Sequence, residues 1–243
     1  MQLLRLGGGF SVTSITAYSA FDWSKFTDGD FSEVSFSGAR FKENFHQFSE
    51  EVRLLSPTGK RIEYVAGLYY HKNFSHTTRI SLLNVGTQFG TTTRDYNQDT
   101  STVSAFGQVT LNITDALNAK GSVRYTHETK DGHLTRGRTG TVATTNLITP
   151  LDGRRVENQW DPGASIQYQF TPSFMTFVSY AHGSKGGGFT GDSATVTSAN
   201  WEYQAESSYS YEGGFKWSTS KARLFVTAFH TRYKNQQVSV LRP

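Results

Sequence analysis

From Ser208 to Ser218 the side chains change character at every step. Tyr209, Tyr211, Gly213, Phe215 and Trp217 fall on one side of an extended chain, and Ser208, Ser210, Glu212, Gly214, Lys216 and Ser218 on the other. A period of two marks a β-strand with unlike faces, whereas an amphipathic helix repeats every 3.6 residues. The same alternation runs through Arg61 to Phe74, Thr102 to Ile113 and Leu117 to Glu128. It is weaker over Phe10 to Trp23, Phe45 to Leu55, Trp160 to Phe170, Ser173 to His182 and Arg223 to Tyr233, the last two with aromatics on both faces. The chain is therefore expected to be all-β, with about nine strands of roughly 10 to 14 residues, longer than the usual 5 or 6 of a soluble domain.

The connections between these strands alternate in length. Short ones, Ser56 to Lys60, Thr114 to Ala116, Thr171-Pro172 and Ser218 to Ala222, carry turn-forming residues. Long ones run from Phe26 to Asn44, Ser75 to Thr100, Thr129 to Gln159 and Gly183 to Ser207. In an up-and-down antiparallel sheet every second connection emerges at the same end, so the long loops share one rim and the tight turns the other. Short turns on one side and long loops on the other belong to transmembrane β-barrels. Small or branched residues (Ala66, Ala119, Val123, Ala164) sit mid-strand, while Tyr64, Tyr70, Tyr125, Phe170, Tyr209 and Trp217 lie toward the ends, as in aromatic girdles. The competing fold is a soluble β-sandwich, which would turn the same apolar face inward but has no reason to alternate its loops.

Composition removes other classes. The 243 residues carry 24 Lys and Arg against 20 Asp and Glu, a formal charge of +4, with no dense run of like charge to follow a phosphate backbone. Nucleic acid is not expected as a partner. There is no Cys, hence no disulfide or thiolate metal site. No window approaches the 18 apolar residues of a membrane helix; the best run is Tyr64 to Tyr70. The first residues, Met1 to Leu6 before Gly7-Gly8-Gly9, have no secretion-signal pattern.

Several stretches together resemble the barrel domain of TonB-dependent outer-membrane receptors: Phe48 to Pro57 (FSEEVRLLSP), Tyr64 to Tyr70 (YVAGLYY), Ala105 to Lys130, Phe177 to Gly191 (FVSYAHGSKGGGFTG), Tyr211 to Ser218 (YEGGFKWS) and Ala222 to Ser239. The resemblance implies a 22-stranded barrel plugged by an N-terminal domain, set in the Gram-negative outer membrane among its lipids. Such receptors take up scarce ligands such as ferric siderophores, with energy delivered through TonB. Two departures stand out: no plug precedes Gly7, and Val240 to Pro243 lacks the aromatic-terminated last strand typical of the family. Residues 1–243 are accordingly expected to be part of a barrel domain, about nine of 22 strands, touching TonB only through a plug outside this sequence. The alternatives are a self-contained small barrel acting as pore or adhesin, and an outer-membrane hydrolase.

No catalytic residue, cofactor or metal site is expected. Gly186 to Gly191 fits G-x-G-x-x-G, but no helix or βαβ unit follows, so the glycines read as a strand end needing positive φ. The seven histidines show no zinc-protease spacing, and Asp28-Gly29-Asp30, near Asp22 and Glu33, departs from a calcium loop. Glu51, Arg53, Glu63, Gln108, Lys120, Arg124, Glu128, Glu212 and Lys216 are placed on the polar, lumen-facing side, where replacing Arg124 by Gln is expected to be mild. The Thr129 to Gln159 loop is locally basic, and Arg136, Arg138, Arg154 and Arg155 are the candidate contacts for an anionic small-molecule ligand or for lipopolysaccharide phosphates drawn in by electrostatic steering.

Overall fold

A computed structural model describes residues 2–33, 36–142, 150–191 and 196–238; the Val240 to Pro243 end and parts of two expected loops, 143–149 and 192–195, lie outside them. The strands are β1 (Gln2–Arg5), β2 (Ser11–Asp28), β3 (Ser37–Leu55), β4 (Ile62–Val85), β5 (Gln88–Asn112), β6 (Leu117–Gly140), β7 (Leu151–Thr171), β8 (Phe174–Lys185), β9 (Gly188–Phe189), β10 (Glu202–Tyr203), β11 (Glu206–Ser218) and β12 (Arg223–Lys234). Ten form one antiparallel up-and-down sheet in the order β1 to β8, β11, β12, while β9 and β10 pair with each other. The sheet is an open, partial barrel: β1 and β12 are its two edges.

Each expected strand is present, with β1 and the short β9 and β10 in addition, but the expected long loops are shorter than the sequence suggested. β4 and β5 stay paired through Ser75 to Thr100 up to Val85 and Gln88, leaving only Gly86 and Thr87 as a tip, with Gly86 at a left-handed φ of 60°. β2 and β3 likewise pair out to Asp28 and Gly38, and β6 reaches Gly140. Tall hairpins therefore replace loops along one rim. Their segments, such as Thr91-Thr92-Thr93, are β-branched and polar on both faces, so they favour the strand without showing the alternation that reveals it.

Register fixes the two faces. One row across β4 to β7 reads Leu68, Ala105, Tyr125, Trp160, and the next reads Gly67, Phe106, Arg124, Asp161. The first side is the outer one. On β7, Trp160, Ile166 and Phe170 are 61%, 51% and 58% exposed, while the intervening Asp161, Ser165 and Gln167 are half-buried. No second layer covers the apolar face: Tyr211 and Trp217 are also open to the surroundings, and the buried apolar residues among those described are Leu134, Val142, Phe189, Val196 and Trp201. A sandwich is thereby excluded, since its core would enclose the greasy side of every strand. From Trp160 to Phe170 the strand rises about 33 Å, which at a tilt near 40° spans about 25 Å, the height of a barrel's apolar band.

The polar residues named from sequence share the inner face. Glu63, Thr110 and Lys120 stand in one register row, Gln108 and Ser122 in the next, and Glu51 and Arg53 form an ion pair beside them. Arg124 does more than face water. It donates to Ser104 Oγ at 3.0 Å and lies over the Tyr69 and Phe106 rings at 5.3 and 5.7 Å, contacts that a merely solvated side chain would lack. In the whole receptor, Val123→Arg on the outer face should lower barrel stability by about 2–4 kcal/mol near mid-band. Arg124→Gln should cost about 1 kcal/mol and Lys120→Gln less than about 0.5 kcal/mol. Urea unfolding of the refolded barrel in vesicles reads all three, and equal effects at Val123 and Lys120 would contradict the assignment of faces.

Candidate ligand-binding site on the inner wall

Above the apolar band the inner face carries a row that sequence reasoning did not single out. Arg79 on β4 pairs with Arg94 on β5, which pairs with Arg136 on β6. Directly opposed residues on one face have Cβ atoms about 4.5–5.5 Å apart, and like charges there repel. Phe41 of β3 continues the row, with the Arg79 guanidinium 4.7 Å from its ring centroid. Arg138 stands one inward position further along β6, opposite Thr92, and donates to the Val142 carbonyl at 3.4 Å. The wall thus presents four guanidiniums at its upper end, a fixed pattern of donors suited to carboxylate, catecholate or phosphate oxygens.

Below this row the segment between β8 and β11 folds back onto the inner wall. Phe189 lies over a pair of facing glycines, Gly132 of β6 and Gly153 of β7; a Cβ on Gly132 would stand 2.6 Å from the Phe189 ring. Trp201 packs on Phe189 at 5.0 Å and edge-on to Tyr96 at 5.9 Å, and Leu134 and Val196 complete the cluster. Charged groups fasten the base of this strap. Lys130 Nζ meets Glu128 at 2.8 Å and donates to the Gly187 carbonyl at 2.8 Å, while Gly187 N donates to Glu157 at 3.1 Å. Arg155 bridges Glu157 at 2.9 Å and Glu202 of β10 at 2.8 Å. None of Gly186, Gly187 and Gly188 has positive φ, so the reason expected for them is replaced by another. A Cβ on Gly187 would stand 2.8 Å from both Arg155 and Glu157: the glycines are there for close approach.

The four arginines named from sequence separate. Arg136 and Arg138 belong to the upper inner cluster, and Arg136 also donates to the Val196 carbonyl of the strap at 3.1 Å. Arg155 lies lower on the same face, 13% exposed and held by two carboxylates. Arg154 points to the outer face, 3.5 Å from Asp131. Arg79 and Arg94 could have been found only from the register, because each stands far from the other arginines of the row in the linear chain and on a different strand.

Other polar clusters have local explanations. Asp30 accepts from Ser32, Phe36 and Ser37, hydrogen bonds that hold its carboxyl down at about 2 and close the acidic loop on its own backbone. His71 faces inward near Gln47, and His76, five residues on, faces outward to Asp95 at 2.9 Å. Asp161 accepts from Ser184 at 2.8 Å and lies 2.9 Å from His182 Nδ1; the hydroxyl is spent on the carboxylate and not on the imidazole, unlike a nucleophile–base pair. Gly153→Val should force Phe189 off the wall at a cost of about 1–3 kcal/mol. The expected sign, in a variant keeping Trp201 as the sole tryptophan, is a red-shifted emission; an unshifted spectrum would contradict this seat for Phe189.

Comparison with known proteins agrees with this geometry. The family model described as TonB dependent receptor-like, beta-barrel, matches residues 3–243. The ferric yersiniabactin uptake receptor FyuA from Yersinia pestis superposes with a TM-score of 0.80 at 18% identity, covering 94% of this chain and 34% of that one. The siderophore receptor PiuA from Acinetobacter baumannii gives 0.63 at 15% identity, covering 90% of this chain and 37% of its own. The chain thus spans about a third of the length of these two structures. With the strand order, the inverted faces and the tall hairpins along one rim, the match over nearly every residue places the chain in the family of TonB-dependent receptor β-barrels.

Proposed function

We propose that residues 1–243 form part of the barrel wall of an outer-membrane receptor that takes up an anionic ferric siderophore, with energy supplied through TonB. The observation that carries this reading is the register row Arg79, Arg94, Arg136, with Arg138 one position beyond, on the inner face above the apolar band. Guanidiniums opposed on one face offer several donors at once, and an anion with several oxygens can accept charge-assisted hydrogen bonds from them. The apolar outer face supports the location. It needs a hydrocarbon surround, and a sheet set in hydrocarbon must pair all its backbone groups within the protein. The names of two similar structures, a ferric yersiniabactin uptake receptor and a siderophore receptor, support the ligand class.

In this reading the hairpin tips meet the ligand first, the arginine row holds it within the lumen, and movement of the rest of the receptor lets it pass inward. The wall residues bind and orient; no bond is made or broken by them. The basic set named from sequence is thereby narrowed to Arg136 and Arg138, joined by Arg79 and Arg94, with Arg155 serving the strap. The test uses the whole receptor in iron-limited cells offered radioactive iron on a panel of anionic, neutral and cationic siderophores. Uptake should be confined to anionic complexes and fall at least tenfold in an Arg79→Gln, Arg94→Gln, Arg136→Gln variant that still reaches the membrane. Uptake of neutral complexes alone, or full uptake by the triple variant, would overturn the reading.

A further inference from the structure

The strap covers only one half of the upper inner wall. Over β6 and β7, Phe189 rests on Gly132 and Gly153, Gly191 lies against the Tyr96 ring of β5, and the Val196 carbonyl accepts from Arg136. The inner side of β2 and β3 stays open, and beside the arginine row its inward positions are aromatic. Phe21 and Phe45 stand opposite each other, stacked with ring centroids 5.1 Å apart, Trp23 follows one inward position higher opposite Glu43, and Phe41 carries the Arg79 guanidinium. Trp23 Nε1 donates to Glu43 at 2.8 Å, so the only polar atom of the indole is already served. Phe21 and Trp23 are 44% and 43% exposed on a wet face, whereas Phe189, seated on Gly132 at the far end of the Phe21 row, is 5% exposed. One inward position lower the wall returns to Ser19, Gln47, Asn73 and Thr100.

The geometry points to aryl rings on the anion held by the row: a catecholate or phenolate chelate of iron, selected over an aliphatic carboxylate or a phosphate by Phe21, Trp23 and Phe45. This rests on the reading of the arginine row as an anion site. Rings and cations stand at neighbouring levels, with Trp23 one inward position below Lys25 and Phe41, about 7 Å along the strand, and Phe21 with Phe45 two positions below, about 13 Å. Between Phe45 and the seat of Phe189 lie three strand spacings, about 14 Å, floored by Ser75 and by Gln98, which is tied to Tyr96 and Thr100 of its own strand. An aryl chelate has flat apolar faces and charged oxygens at the ring edge. It can stack on Phe21, Phe45 or Trp23 while its oxygens meet Lys25, Arg79 and Arg94. A citrate-like or phosphate anion uses the cations alone and leaves the rings in water. Apolar surface gathered at one place on a wet wall marks a contact site, and the adjoining cations give that contact its charge.

The test measures binding of radioactive iron to the whole receptor purified in mild detergent, offered as a tris-catecholate, a bis-phenolate, the anionic dicitrate complex or a neutral trihydroxamate. Wild type should bind one of the two aryl chelates at least tenfold more tightly than dicitrate. A Phe21→Leu, Trp23→Leu, Phe45→Leu variant, which keeps apolar bulk without rings, should weaken that binding at least tenfold, and a Phe21→Tyr, Trp23→Phe, Phe45→Tyr variant should stay within about threefold of wild type. Folding of each variant is checked by heat-modifiable gel mobility. Unchanged aryl binding in the leucine variant, equal loss of aryl and dicitrate binding as for rings that only support neighbouring structure, or a wild-type preference for dicitrate overturns the ring assignment and leaves the anion site standing. Binding of the neutral complex with none of the three anions overturns both.

Discussion

Everything in this molecule follows from strands that turn their apolar side away from the rest of the chain. In water such a sheet would be an aggregation surface. In hydrocarbon it is stable, provided that each backbone N–H and C=O finds its partner inside the sheet, because an unpaired group there costs several kcal/mol. The continuous ladders from β2 to β8 and through β11 to β12 meet that demand along their paired lengths. Within the sheet, stability comes from the ladder, with little from a conventional core, since few apolar side chains among the described residues are buried. The inner face is released from packing duty and can carry charge.

The release has two uses. Low on the inner wall, opposite charges are set against each other: Lys130 with Glu128 and Arg155 with Glu157 and Glu202, and these pairs tether the strap that brings Phe189 and Trp201 onto the wall. Higher up, like charges are set side by side in Arg79, Arg94 and Arg136. The strap links the levels, since its Val196 carbonyl accepts from Arg136 while its glycines rest on Glu128, Lys130, Arg155 and Glu157. A ligand that drew Arg136 toward itself would compete with the strap for the same guanidinium. Binding and strap position would then be coupled through one side chain.

Much of this was legible in the sequence. Wherever the two faces of a strand meet unlike media, residues alternate, and the alternation located the two-faced part of every long strand as well as the inward set from Glu51 to Lys216. Where both faces meet water the pattern stops. Thr77, Thr78, Thr91, Thr92 and Thr93 therefore read as loop although they continue β4 and β5. Register was the other missing quantity. It brings Arg79 to Arg94 and Arg94 to Arg136, and it sets Gly132 opposite Gly153, whereas the linear chain shows only single arginines and scattered glycines. Arg154 and Arg155 illustrate the same limit from the other side: neighbours in sequence, they point to opposite faces of β7.

The orientation of the faces is tested most directly by single-tryptophan versions of the whole receptor refolded into vesicles of brominated lipid. Trp160 and Trp217 lie on the outer face, and Trp201 is buried against the inner wall. Bromine should quench the first two strongly and leave Trp201 unaffected. Quenching of Trp201 with Trp160 and Trp217 protected would mean that the apolar faces look inward, in direct contradiction of a wall that turns them to lipid.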